Sequence, residues 1–107
     1  MRSGRQQARA AVDLEVAFEE SGRQLFTPAL NLSASGVLLA SDQPPPIGSY
    51  VQVVMSLPPS GVFVRLQGDV VRHTASGGAS GFAVAFQAVD RRTVAELESF
   101  VERARRH

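Results

Sequence analysis

Apolar residues recur at every second position in segment after segment of this chain, and no other feature restricts its fold as tightly. Val12, Leu14, Val16 and Phe18 alternate with Asp13, Glu15, Ala17 and Glu19. Val51, Val53, Met55 and Leu57 repeat the pattern, then Val62, Val64 and Leu66 with Val70, then Phe82, Val84 and Phe86. A period of two puts one side-chain row on a core and the other in water, which a strand does and a helix does not. Phe26, Leu30 and Leu32 share a parity and imply a second strand whose apolar row they form, while Val37–Ala40 reads as a short buried strand. Between these runs stand Ser21-Gly22, Asn31–Gly36, Pro44–Gly48, Pro58–Gly61 and Ser76–Gly81, all rich in residues that favour turns; the last reads as a flexible loop. About six short strands with regular turns predict an antiparallel barrel or sandwich.

Three details refine that expectation. Pro28 lacks an amide donor and belongs at a sheet edge or bulge. Gly68, with Val70 and Val71 both apolar after it, marks a bulge or a barrel corner. After Asp90 the period changes: Val94, Leu97, Val101 and Ala104 fall on one helical face with Phe100 beside it. Asp90 is placed to cap that helix, and Arg103, Arg105 and Arg106 lie at the negative end of its dipole. The helix is expected to close one side of the sheet structure. At 107 residues the chain suits one domain, with residues 1–11 as a flexible, arginine-bearing leader and 12–107 as the folded body.

Composition removes several function classes. Without cysteine there is no disulfide, thiolate nucleophile or Cys-bound zinc, and the two histidines, His73 and His107, cannot build a His-rich metal site. Met1–Ala10 has no apolar run, so neither a secretory signal nor membrane insertion is expected, and a cytoplasmic location follows by default. A net charge of +1, one tyrosine and no tryptophan argue against a nucleic-acid polymer as partner. No nucleophile, base and orienting group stand together, so an enzyme is not expected. No cofactor is expected either.

Two constellations remain. Arg5 and Arg9 are spaced by four, which puts both guanidinium groups on one side of an extended or a helical segment. Such forks match phosphate bidentately, pair with the Hoogsteen edge of guanine, or stack on a purine; taken alone, the pair also fits two solvated side chains. In Asn31-Leu32-Ser33-Ala34-Ser35-Gly36, Asn31 and Ser33 share a side. Gly36 removes a side chain where the backbone turns with positive φ or approaches a ligand. An ordinary turn that satisfies its own backbone is the competing reading.

Read together, R-x-x-x-R before the first strand and N-x-S-x-x-G after one hairpin resemble the two-part signature of the PilZ domain family. The similarity extends through the Val12–Phe18 and Val51–Leu57 strands, Gly68–Arg72, Ala83–Phe86 and the C-terminal helix. It implies a mainly β fold, a six-stranded antiparallel barrel with a C-terminal α-helix, that binds cyclic di-GMP. By that resemblance Arg5 and Arg9 would clamp phosphate and guanine, and Asn31 would bond a guanine edge. Ser33 would donate to a phosphate or base, and Gly36 would leave room for the ring. Arg72 and His73 are secondary candidates near the barrel edge. Many members carry a further arginine where this chain has Gly4, which favours one ligand molecule per domain, although Arg2 could substitute; Ala83 stands where a glycine is common. The leader would order on binding and signal to an unidentified downstream effector protein. The alternative is a protein-interaction module of the same fold that binds no nucleotide.

Overall fold

A computed structural model describes residues 9–76 and 79–106. Six strands, β1 (Arg9–Glu20), β2 (Arg23–Ser33), β3 (Gly36–Ala40), β4 (Tyr50–Leu57), β5 (Val62–Ser76) and β6 (Ala79–Gln87), are followed by helix α1 (Arg91–Arg105). All pairings are antiparallel, and the strands close into a barrel in the order β1-β2-β3-β6-β5-β4. The alternating residues fill it: Leu14, Val16, Phe18, Val51, Val53, Met55, Leu57, Val64, Leu66, Val70, Phe82 and Val84 are buried. Phe18 and Phe82 meet edge to face, with ring centroids 5.3 Å apart, a favoured aromatic geometry.

α1 packs on β1 and β2 and adds Leu97, Phe100 and Val101 to the core. Asp90 caps it as expected, its carboxylate accepting the Thr93 N–H at 2.7 Å. That hydrogen bond is the main reason the Asp90 carboxyl titrates below its ordinary range. No helix among the described residues is long and apolar enough to cross a membrane.

Three expectations change. β1 already begins at Arg9, so the folded body starts three residues before Val12; the rest of the leader lies outside the described residues. β2 departs from its alternation: Phe26 is 68% and Leu30 41% exposed while Thr27 and Ala29 are buried, and of the expected row only Leu32 faces inward. The cause is a register shift between Ala29 and Asn31 in the ladder to β3, which exchanges the two faces partway along the strand. Pro28 stands where its missing amide donor is tolerated, at the end of the stretch of β2 that pairs with β1 alone and beside that irregularity. The Ser76–Gly81 loop contracts, because β5 and β6 stay paired to Ser76 and Ala79, and residues 77 and 78 lie outside the described residues. The bulge foreseen after Gly68 is present, with a register shift between Val70 and Arg72.

Candidate functional site

The two motifs meet because β1 and β2 form a hairpin. Its register places Arg9 opposite Ser33 and Ala11 opposite Asn31. Past Ser33 the chain turns into β3, and local hydrogen bonds hold the turn. Ser33 Oγ accepts the Ser35 N–H at 3.2 Å and lies 3.2 Å from Ser35 Oγ. Ser35 O accepts the Phe86 N–H at 2.9 Å, fastening the turn to β6. Ser33 is buried and its hydroxyl faces its own turn; Ser35, to which the motif assigns no role, is exposed and lines the adjoining surface.

Gly36 is required by that contact with β6. A Cβ built there would lie 2.5 Å from the Val84 carbonyl oxygen, closer than any side chain tolerates. Its φ is not in the left-handed region. The neighbour that excludes a side chain is therefore the barrel itself.

Around this turn a concavity opens to solvent on the outer face of β3 and β6. Gly36, Leu38, Ala83 and Ala85 alternate outward there, paired as Gly36 with Ala85 and Leu38 with Ala83. Three of the four are glycine or alanine, so the floor is low except where Leu38 stands on it. Arg9 and Asn31 border it on one side, and Val71 and Arg72 on the other. The β5 bulge explains the last two, since it brings consecutive side chains to the outer surface, both exposed. Among the described residues no carboxylate lines the concavity, whereas two arginines do. A planar anion fits such a surface: glycine, alanines and the apolar Leu38 below it, guanidinium groups at either side and an amide at the rim.

The remaining candidates separate. His73 does not line the concavity; its Nε2 lies 2.6 Å from Pro45 O, and because a carbonyl only accepts, that nitrogen carries the proton and donates. Arg5 lies outside the described residues. A second concavity near the start of α1, lined by Arg65, Gln67, Gln87 and Asp90, sets a carboxylate beside its arginine and suits an anion poorly. Sequence reasoning does not find Ser35 or Val71. The Val70-Val71 doublet is the one signal for Val71, since it marks the bulge, and Ser35 has none.

The fold is similar to that of solved proteins. The motility inhibitor of Bacillus subtilis, MotI/DgrA, superposes with a TM-score of 0.84 at 17% identity, covering 97% of this chain and 52% of that protein. The PilZ domain of YcgR from Escherichia coli, solved with c-di-GMP, superposes with a TM-score of 0.73 at 13% identity, covering 97% of this chain and 93% of that one. PlzA of Borreliella burgdorferi, in complex with c-di-GMP, gives a TM-score of 0.58 at 8% identity, over 88% of this chain and 50% of that protein. The chain thus spans about half the length of MotI/DgrA and of PlzA. No curated protein sequence matches it. The PilZ domain family model matches residues 3–103, nearly the whole length, and the chain belongs to the PilZ domain family.

Proposed function

We propose that this domain is a receptor for cyclic di-GMP, seated on the outer face of β3 and β6. The observation that carries the reading is the concavity with no carboxylate among its described lining residues, where Arg9, Asn31 and Arg72 surround a floor of Gly36, Leu38, Ala83 and Ala85. Support also comes from two proteins of similar fold, the YcgR domain and PlzA, whose structures contain c-di-GMP. In this reading Arg9 and Arg5 grip phosphate and guanine, and Asn31 bonds a guanine edge. Arg72 supplies charge from the opposite wall. Gly36 keeps the floor low, and Ser33 acts through the turn it holds.

The ligand carries two phosphates. A few charge-assisted hydrogen bonds of about 1.5 to 3 kcal/mol each, less the cost of ordering the arginine segment, reach roughly micromolar affinity. Ordering of residues 1–8 over the ligand changes the surface beside β1, and that change is the signal passed to an effector protein. No covalent chemistry is required of any residue.

Calorimetric titration of cyclic di-GMP into the purified chain tests the proposal. Saturable binding with one ligand molecule per chain is expected. Absence of heat and of any ligand-dependent rise in melting temperature at saturating ligand would overturn it.

A further inference from the structure

The barrel is closed, yet one of its seams is short. β2 has eleven residues and β3 five. Their ladder runs from Ala29 opposite Leu39 to Leu32 opposite Val37. From Arg23 to Pro28, β2 is paired to β1 alone. On its other side the chain after Ala40 diverges, and Thr27 Oγ1 donates to Ala40 O where the two separate. Beyond that point two adjoining concavities fill the gap between β2 and residues 40–45, sharing Phe18, Leu25, Ser41 and Asp42 as walls. A strand edge with unpaired backbone groups beside an open trough is a template for another strand.

The side chains of the same segment agree with that. Leu25 is 37% and Phe26 68% exposed, two large apolar residues side by side on the unpaired stretch. No lysine guards the edge; only Pro28, at one end, limits how far a pairing can run.

We propose that the edge Arg23–Thr27 pairs antiparallel with the same edge of a second copy, about a two-fold axis at Leu25, so that the domain forms a homodimer. The pattern is self-complementary. With Leu25 facing Leu25 of the second copy, both leucines cover the trough floored by Phe18, and Phe26 faces Gln24 on the outer side. Arg23 falls opposite Thr27 of the second copy, whose trough also holds Asp42. Two Arg23 to Asp42 contacts arise by symmetry, and the sole ion pair among the described residues, Arg106 with Glu102, involves neither. A foreign peptide would need the same alternation of apolar and charged groups; a second copy supplies it by construction. This edge lies at the opposite end of β2 from Asn31, so the dimer leaves the nucleotide concavity open.

Sedimentation of the whole chain over a range of concentrations, together with cysteine trapping, tests the proposal. The protein has no cysteine, so Leu25→Cys introduces a single thiol at the axis, where directly opposed Cβ atoms lie roughly 4.5–5.5 Å apart. Expected are a concentration-dependent dimer, rapid disulfide trapping of Leu25→Cys, and at least about tenfold weaker dimerisation in Phe26→Lys. Phe63→Cys, on β5 and 74% exposed, is the control and should trap only at the rate of random collision. A dimer unchanged by Phe26→Lys, or Leu25→Cys trapping no faster than Phe63→Cys, overturns the proposal. A chain monomeric at every concentration does so too and leaves the edge to an extended segment of a different protein. Should Leu25→Cys lose its circular-dichroism signature, Phe26→Lys decides alone.

Discussion

Arg9 stands directly across the β1–β2 ladder from Ser33, on one rung. Residues 24 positions apart in sequence, the second arginine of R-x-x-x-R and the serine of N-x-S-x-x-G, thereby become neighbours, the exposed Arg9 beside the turn that Ser33 holds. The rung is set from two directions. The Ser21-Gly22 turn fixes the far end of the hairpin, and an irregularity between Ala11 and Leu14 absorbs one residue before Arg9 is reached. A one-residue slip would send the Arg9 side chain to the other face.

Arg9→Ala should therefore remove binding while leaving the fold intact. Its side chain is exposed and has no part in the core. Taking a bidentate, charge-assisted pair of hydrogen bonds out of the complex costs about 3 kcal/mol or more, roughly a hundredfold or greater in affinity. Calorimetry should show no measurable binding alongside an unchanged melting curve. Near wild-type affinity in this variant would defeat the site assignment. Affinity of the wild type should also fall as salt is raised, because exposed phosphate contacts are screened.

Ser33 and Ser35 should behave in opposite ways. Ser33→Ala leaves the Ser35 N–H without its acceptor in a half-buried turn, which costs about 1 to 2 kcal/mol of stability. Ser35→Ala removes an exposed hydroxyl and should change stability by less than about 0.5 kcal/mol, yet weaken cyclic di-GMP binding at the concavity. Urea unfolding and ligand titration of both variants separate the two roles. A Ser33→Ala variant as stable as the wild type would show that the turn does not depend on Ser33.

The sequence carried the strands whose neighbours are regular. Val51, Val53, Met55 and Leu57 all face inward because β4 pairs without a bulge along its length. β2 defeated the same reasoning: its faces exchange near Leu30, and that shift is imposed by the pairing with β3, which no local pattern records. The site divides likewise. Arg9 and Asn31 were visible through spacing, because a hairpin converts sequence distance into register. The floor was not, since Ala83 and Ala85 come from β6, far downstream in the chain, and two alanines in a strand announce nothing. His73 follows Arg72 in sequence and so looked like its companion, but the Pro45 carbonyl engages its ring and it stays off the concavity.

Gly36→Ala should damage stability and binding together. The added Cβ would be forced against the Val84 carbonyl across the β3–β6 pairing, and backbone on both sides leaves nothing flexible to yield. Overpacking of this kind costs about 1 to 3 kcal/mol, read as a lower urea midpoint with an unchanged slope. The displaced β3 also tilts the floor, so affinity for cyclic di-GMP should fall even where the variant is fully folded. An alanine variant as stable as the wild type would show that β3 and β6 separate more easily than their pairing indicates.

Asp90 gives the fold a component that depends on acid. The Thr93 amide donates to its carboxylate at 2.7 Å, and this bond, with Arg92 nearby acting in the same direction, holds its pKa below the ordinary value. A carboxyl that titrates lower in the folded chain than in the unfolded one stabilises the fold at pH above its unfolded value, which for an aspartate is about 3.9. That contribution is lost as pH falls through the folded value. Asp90→Ala should accordingly melt below the wild type at pH 7, with the gap closing as pH drops beneath about 4. Asp90→Asn keeps a capping oxygen without the titrating charge, so it should retain most of the neutral-pH stability while showing a shallower acid limb. Melting followed by circular dichroism from pH 7 to about 3 distinguishes the three chains. Identical acid limbs for wild type and Asp90→Asn would mean that other carboxylates, and not the cap of α1, govern how this domain responds to acid.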